Sequence, residues 1–279
     1  MNSSHILAIV TFAYGLAAFM YVTAWVFKRE PLSKLAWWVT ALAIVGNTAG
    51  IIMRWVESYQ MGIGHAPLSN MYESLVFFAW TIGVIYMVVG HRYKHANLGV
   101  FATPLAFLAI AYASLSPNIS DRIQPLIPAL KSNWLIAHVI TCFFGYAAFA
   151  LAFGLSLMYL LKSRQNQGAS RLLDLLPGAN VIDELNYRMI MFGFLFLSIG
   201  IITGAVWANS AWGSYWSWDP KETWSLITWF IYATLLHARN MRGWQGKRIA
   251  YLSIIGFLAV LFTYFGVNYL PGLHSYAQS

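Results

Sequence analysis

Long apolar stretches alternate along the chain with short polar connections. Eight of them approach or exceed the roughly 20 residues that a helix needs to cross a bilayer. They are residues 6–27, 35–53, 74–90, 98–116, 134–161, 189–208, 223–238 and 249–270. No ten-residue alternation typical of a membrane β-barrel occurs, and a helix satisfies its own backbone within lipid. The pattern predicts an all-α, polytopic integral membrane protein with about eight transmembrane helices.

Composition agrees with this pattern. Of 279 residues, 59% are hydrophobic and 9% are charged, whereas soluble domains have about 25% charged residues. We therefore expect residues 1–279 to form a single integral-membrane domain without a soluble module. The longest connection, about residues 162–187, is polar and contains a short amphipathic piece around Leu172 to Leu176.

Basic residues predict the orientation. One set of connections contains most of the seventeen basic residues, namely Lys28, Arg29, Lys34, Arg92, Lys94, Lys162, Arg164, Arg171, Arg188, Arg239, Arg242, Lys247 and Arg248. The opposite set contains Arg54, Arg122, Lys131 and Lys221. Since basic loops stay inside, both termini are predicted on the outer (periplasmic or lumenal) side. The net charge of +8 follows from this bias and does not indicate nucleic-acid binding. The first stretch has no charged start and no convincing cleavage site, so we expect it to be retained.

Residues 207–229, here called the tryptophan-rich segment, read WANSAWGSYWSWDPKETWSLITW and contain six of the thirteen tryptophans. Tryptophan favours membrane–water boundaries, but anchoring a helix needs one or two rings. This density predicts a platform for a large, flat, apolar ligand with a polar edge, a description that fits haem. A second interpretation covers part of the segment: Asp219, Pro220 and Glu222 together make a favourable helix start.

Part of this segment, WGSYWSWDPKETWSLITW, resembles the tryptophan-rich "WWD" signature of haem-handling proteins in cytochrome c assembly. Three further stretches, PLSNMYES (67–74), NWLIAHV (133–139) and GVNYLPGLHSYA (266–277), resemble the CcsA (ResC) family of that group. The resemblance covers the chain from about residue 30 to its end. It implies a subunit of a holocytochrome c synthase (haem lyase). Such a subunit carries haem across the membrane and presents it for thioether attachment to the CxxCH motif of apocytochrome c.

Two histidines are predicted on the same side as the tryptophan-rich segment. His138 lies one turn into the fifth helix, and His274 follows the eighth by a few residues. Two imidazoles beneath an aromatic platform would form a six-coordinate site for haem iron. The resemblance implies the same assignment, because both residues occupy the family's external haem-ligand positions.

His237 lies fifteen residues after Glu222, hence roughly 22 Å further along a helix at 1.5 Å per residue. One interpretation is an interfacial histidine stabilised by the helix C-terminus. The resemblance instead implies a ligand for haem within the membrane. The opposite ligand would come from a CcsB/ResB-like membrane subunit, so a partner is expected.

The resemblance further implies that Trp212, Trp216, Trp218, Trp224 and Asp219 contact haem, and haem b is the expected cargo. No catalytic side chain is assigned beyond the haem ligands, because the apocytochrome supplies its own thiols. Two further residues give weaker signals. His65, in an outer loop beside Pro67, could contact haem or substrate, but a histidine in such a loop is more often solvated, which is the expectation here. Cys142 is expected to be a small core residue.

Two other functions share some of these features. A CcmC-like haem exporter or chaperone has the tryptophan motif and paired outer histidines but delivers haem without forming the bond. A cytochrome b holds haem between helices but normally has histidine pairs within the bundle. The motifs fit either a bacterial cytoplasmic membrane or a chloroplast thylakoid membrane.

Overall fold

The structure, a computed structural model, describes residues 2–93, 98–164 and 173–272. These residues contain eight α-helices. They are α1 (Ser3–Val26), α2 (Glu30–Gln60), α3 (Met71–Tyr93), α4 (Gly99–Leu115), α5 (Asn133–Ser163), α6 (Ala179–Trp212), α7 (Pro220–Arg242) and α8 (Lys247–Tyr264). Short 3-10 helices lie at Pro128–Leu130, Leu173–Leu175 and Gly266–Tyr269.

Each predicted apolar stretch coincides with one of these helices, and the all-helical class is confirmed for the described residues. Six helices are long and apolar enough to cross a membrane, namely α1, α2, α3, α5, α6 and α8. α4 is apolar but has only 17 residues. α7 has 23 residues and is more polar. The count of eight spans and the side of each terminus therefore stay predictions.

The described helices belong to two compact units. Unit 1 lies within Met1–Leu126 and Gly168–Pro177 and contains α1 to α4. Unit 2 lies within Ile127–Gln167 and Gly178–Ser279 and contains α5 to α8. The single integral-membrane domain over residues 1–279 stays a prediction.

A buried ion pair joins two helices of unit 1. Arg54 Nε of α2 donates to Glu73 Oε1 of α3 at 2.8 Å, and the two side chains are 2% and 0% exposed. Arg54 also donates to the carbonyl of Asp121 at 2.7 Å. The second Glu73 oxygen accepts from the backbone and hydroxyl of Ser69. These contacts fix the ends of α2 and α3 and the chain that follows α4.

In unit 2, glycines allow α5 and α6 to approach closely. A Cβ at Gly145 of α5 would lie 3.1 Å from the Gly193 carbonyl of α6. Phe149 of α5 stacks on Tyr232 of α7, with 3.6 Å between ring centroids and 5° between planes. At the far end of α7, Asp183 accepts from Arg239 at 2.7 Å and from the Gly246 backbone at 2.9 Å. These contacts set the register of the helices that bear His138 and the tryptophan-rich segment.

Candidate functional site

His138 lies near the start of α5, which begins after the N-cap Ser132. Its Nδ1 lies 2.7 Å from the Gly200 carbonyl of α6. Because a carbonyl can only accept, Nδ1 of the neutral ring bears the hydrogen, and the lone pair is on Nε2. A histidine held this way has the tautomer typical of metal-ligating imidazoles, whose other ring nitrogen usually donates to a carbonyl or carboxylate.

The His138 ring lies flat against Trp207 of α6, with centroids 6.0 Å apart and planes 13° apart. Trp207 is 3% exposed, and its indole N–H donates to the Ala129 carbonyl at 2.9 Å. The Trp207 ring is held by the Ala129 carbonyl, and the His138 ring is held by the Gly200 carbonyl. The orientation of the imidazole is therefore set by the fold, before any ligand binds.

Two glycines of α6 make room for this ring and its neighbour. A Cβ at Gly204 would lie 2.6 Å from His138 Nδ1, and one at Gly200 would lie 2.6 Å from Cys142 Sγ. Both distances are too short for real contacts. The Gly200-x-x-x-Gly204 pair therefore does more than let two helices approach, since it leaves the space that His138 occupies.

The tryptophan-rich segment begins as the last turns of α6. The helix ends at Trp212, and Gly213 follows in the left-handed conformation at φ 77°. Trp212 packs edge-on against Trp207, with centroids 4.8 Å apart. His138, Trp207 and Trp212 thus form a continuous row of ring contacts from α5 to the end of α6.

Two further tryptophans lie in the turn between α6 and α7. Trp216 and Trp218 contact each other edge to face at 5.7 Å, and Trp218 is 68% exposed. Trp218 also has a φ of 60°, a conformation that is unusual for a bulky residue. The fold presents this ring on its surface, where it is available for contact with a ligand or a membrane.

α7 has the predicted helix start. Asp219 is the N-cap, Pro220 occupies the first turn, and Asp219 and Glu222 form a capping box. Glu222 Oε2 accepts from the Asp219 backbone at 3.2 Å and the Ser217 backbone at 2.7 Å. The two carboxylates therefore hold the preceding turn, including Trp218, against the helix. This confirms the structural interpretation of Asp219 and does not test a contact with haem.

Trp224, another predicted site residue, packs within unit 2. Its ring lies 4.2 Å from that of Phe262 of α8, and its carbonyl accepts from Thr228 and Thr263. Trp224 therefore lies between α7 and α8, apart from the Trp216–Trp218 pair in the turn.

The chain after α8 returns to the start of α7. Asp219 Oδ2 lies against Gly272, where a Cβ would collide with it. Asn268 Nδ2 donates to the Tyr264 carbonyl at 3.0 Å, which anchors the 3-10 helix before this segment. His274 comes two residues after Gly272 in sequence but lies outside the described residues, so its assignment stays a prediction.

His237 lies near the end of α7 and is exposed, whereas its neighbours Leu235 and Ala238 are buried. The structure therefore does not bring it together with His138. Its side chain points to the surface of unit 2.

The expected solvation of His65 is wrong. His65 belongs to unit 1 and is 6% exposed. Its Nδ1 lies 2.9 Å from the Ala66 carbonyl, and its Nε2 lies 3.0 Å from the Gln124 carbonyl. With an acceptor at each ring nitrogen, His65 joins the connection before α3 to the chain after α4.

Sequence patterns did not identify three residues at the site. Nothing in the sequence distinguishes Trp207 from the other tryptophans of the segment. Its separation from Trp212, close to a helical turn and a half, is the one signal that could have indicated their contact. Gly204 and Gly200 form a small-residue pair four positions apart, a pattern that is common in membrane helices and does not by itself indicate a site. Lys221 was counted as an outer basic residue, but its ammonium reaches Asn268 Oδ1 at 3.5 Å.

Known proteins resemble this chain in sequence. A model of the family described as "Cytochrome C assembly protein" matches residues 68–274. The chain is 38% identical to the cytochrome c biogenesis protein CcsA of Pyropia yezoensis, over 96% of both chains. It is 37% identical to that of Gloeobacter violaceus, over 99% of this chain and 98% of the relative.

A solved structure shares the fold. The cytochrome c haem lyase CcmF superposes with a TM-score of 0.71 at 14% identity, over 95% of this chain and 47% of that longer one.

Proposed function

The chain belongs to the cytochrome c assembly protein family, and we propose that it is the haem-handling subunit of a cytochrome c synthase. In this role it carries haem b across a membrane and presents it for attachment to the CxxCH motif of apocytochrome c. The observation that supports this most directly is the preset His138 imidazole. It is fixed by Gly200 and Trp207 at the end of unit 2 that bears the tryptophan-rich segment.

In this proposal His138 Nε2 is one axial ligand of the iron. A neutral imidazole whose other nitrogen donates to a carbonyl is a good haem ligand, because that hydrogen bond fixes the ring and raises its basicity. The stack on Trp207 and the hydrogen bond to the Gly200 carbonyl restrain the ring from turning, and Gly204 leaves the space that it occupies. Because the imidazole is already oriented in the folded protein, binding of the iron requires little further loss of side-chain entropy.

His274 is the second axial ligand in this proposal. It lies outside the described residues, and its support is the contact between Gly272 and Asp219, which brings the preceding chain to the start of α7. Two imidazoles would keep the iron six-coordinate until the histidine of the apocytochrome CxxCH motif replaces one of them.

Trp212, Trp216 and Trp218 provide the apolar surface for the macrocycle. Burial of a large aromatic face stabilises a complex by about 25 cal/mol per Å², so three rings supply much of the affinity. Asp219 and Glu222 hold the turn that presents these rings. Trp224 supports the surface from between α7 and α8.

His237 is the ligand of an earlier haem position within the membrane. Its exposure on α7 fits a residue whose opposite ligand comes from another chain, and a CcsB/ResB-like membrane subunit would supply it. Haem would then move from His237 to the His138 end of unit 2.

The bond-forming step requires no nucleophile from this chain. Each thiol of the CxxCH motif adds across one haem vinyl group, so that sulfur bonds to one vinyl carbon and the thiol hydrogen is transferred to the other. No external oxidant or reductant enters this balance. The chain contributes position and the exclusion of water, as is usual where a cofactor carries the reactive groups.

The test is replacement of His138 by Ala in the full chain expressed with its partner subunit. We expect cytochrome c maturation to stop and the low-spin haem spectrum to change, because an axial ligand is lost. Added imidazole should restore part of both by filling the vacant coordination position. His91→Ala, which removes an exposed histidine at the end of α3, is the matched control and should mature cytochrome c normally.

Full maturation in His138→Ala without imidazole would refute the ligand assignment. Wild-type protein that delivers haem to an acceptor but never yields thioether-linked product, even with its partner, would favour the CcmC-like exporter.

A further inference from the structure

Lys221 is the second residue of α7 and precedes the apolar stretch 223–238 of that helix. Its side chain is partly buried, and its ammonium donates to Asn268 Oδ1 over a long 3.5 Å. Burial lowers the pKa of this ammonium, while the nearby Asp219 carboxylate acts in the opposite direction. A lysine at the start of a helix could have reached solvent, but this one is turned toward the interior of unit 2.

The charge of Lys221 has no carboxylate partner within ion-pair distance among the described residues. The acidic groups closest to it in sequence serve the helix start. Asp219 Oδ1 accepts from the Lys221 backbone N–H at 2.9 Å, and Glu222 accepts from the Ser217 and Asp219 backbone. Withdrawing an ammonium from water costs free energy, and the nearby Asp219 carboxylate offsets only part of that cost, because burial has the larger effect on the Lys221 pKa. An anionic group bound beside Lys221 would offset that cost.

The position of the ammonium relates it to the proposed haem site. Lys221 belongs to the tryptophan-rich segment, where it follows Trp218 and Asp219 by three and two residues. Asn268, its hydrogen-bond partner, belongs to the segment that returns to Asp219 through Gly272. Lys221 therefore lies where the start of α7 meets the chain after α8.

We infer that Lys221 is a positioning residue that binds a propionate carboxylate of haem. This inference rests on the proposed function and adds a recognition element for the polar edge of the macrocycle. A charge-assisted hydrogen bond from an ammonium to a carboxylate is about twice as strong as a neutral one. Bound in this way, one propionate would select a rotation of the macrocycle and thereby which vinyl group meets which thiol.

The test uses the full chain in detergent and two probes, protohaem IX and its dimethyl ester, which lacks both negative charges. Wild type should bind protohaem about tenfold more tightly than the ester, a difference of about 1.4 kcal/mol. Lys221→Met should bind both with the ester's affinity. Lys221→Arg, which keeps the charge, should retain part of the preference. Lys131→Met, which removes an exposed lysine, should behave like wild type.

The spectrum of bound haem provides a readout that a merely structural role would not move. In Lys221→Met the low-spin bands should persist at saturating haem, since His138 is unchanged. The inference is overturned if Lys221→Met still prefers protohaem to the same degree. It is also overturned if wild type binds both probes equally, a result that needs no variant to fold. Wild type that binds neither probe would overturn the proposed function instead.

Discussion

Arg54 in unit 1 and Lys221 in unit 2 are both cations withdrawn from water, but they differ in their partners. Arg54 has the Glu73 carboxylate at 2.8 Å, the Asp121 carbonyl at 2.7 Å and the Tyr72 ring beneath its guanidinium at 5.0 Å. Lys221 has an amide oxygen at 3.5 Å. The guanidinium is thus compensated within its own unit, whereas the ammonium lacks an equivalent countercharge among the described residues.

This difference separates two uses of a buried charge. A paired charge holds helices in register, and its removal leaves the partner buried without compensation. A buried charge without an ion-pair partner does not stabilise the fold, and a bound anionic ligand can supply the partner. Arg54 of unit 1 therefore stabilises the packing of helices, whereas Lys221 of unit 2 is proposed to bind a ligand.

The strongest test of this comparison replaces each cation by Met. Arg54→Met leaves the Glu73 carboxylate buried and unpaired, so the free energy of unfolding should fall by about 3–5 kcal/mol. Lys221→Met removes a buried charge without an ion-pair partner, so the free energy of unfolding should not fall. Thermal unfolding of each full chain in detergent measures both effects.

A double variant controls for this interpretation. Replacing Glu73 by Leu alongside Arg54→Met removes both charges and should recover a large part of the lost stability, because no isolated charge stays buried. Equal losses in Arg54→Met and Lys221→Met would contradict the distinction between the two cations.

A second test concerns the His138 end of unit 2 and should show a loss of ligand with a smaller loss of fold. Gly204→Ala places a Cβ 2.6 Å from His138 Nδ1, and overpacking of this kind costs about 1–3 kcal/mol. Because the imidazole ring is the group that gives way, the hydrogen bond to the Gly200 carbonyl should weaken. We expect haem affinity to fall by about tenfold, roughly 1.4 kcal/mol.

Gly178→Ala is the matched control, because no atom lies within 4 Å of its Cβ position at the start of α6. It should leave haem affinity unchanged. Normal haem binding by Gly204→Ala would show that the His138 ring is not held tightly, and would weaken the claim that this region is preset for a ligand.

In both units, sequence patterns predict the presence of the described helices better than their ends. The apolar stretches locate all eight helices but end short of the true limits, because hydropathy cannot recognise polar residues that the fold compensates. α6 begins at Ala179 rather than near residue 189, since Asp183 is paired with Arg239 and Asn186 donates to Ser156. α2 similarly extends past Arg54 to Gln60.

The site shows the same limit. The helix start at Asp219 is predictable because its capping partners lie within a few residues. The surroundings of His138 are not, because Gly200 and Trp207 approach it only through the packing of α5 on α6. The burial of His65 likewise depends on the Gln124 carbonyl, which is 59 residues away in sequence.

The smallest expected effect concerns Trp218, and it separates the ring from the backbone. Trp218 is 68% exposed and has a φ of 60°, a conformation that costs a non-glycine residue about 1–2 kcal/mol. Trp218→Ala removes the ring and keeps the strain, whereas Trp218→Gly removes both. We expect Trp218→Gly to be about 1 kcal/mol more stable than Trp218→Ala, and haem retention to fall equally in the two.

Trp38→Ala supplies the matched control in unit 1, because Trp38 is 66% exposed, and it should retain haem normally. Should Trp218→Gly recover the haem lost in Trp218→Ala, the contribution of Trp218 would be the shape of the turn, and its ring would belong with exposed tryptophans such as Trp38 rather than with the ligand surface.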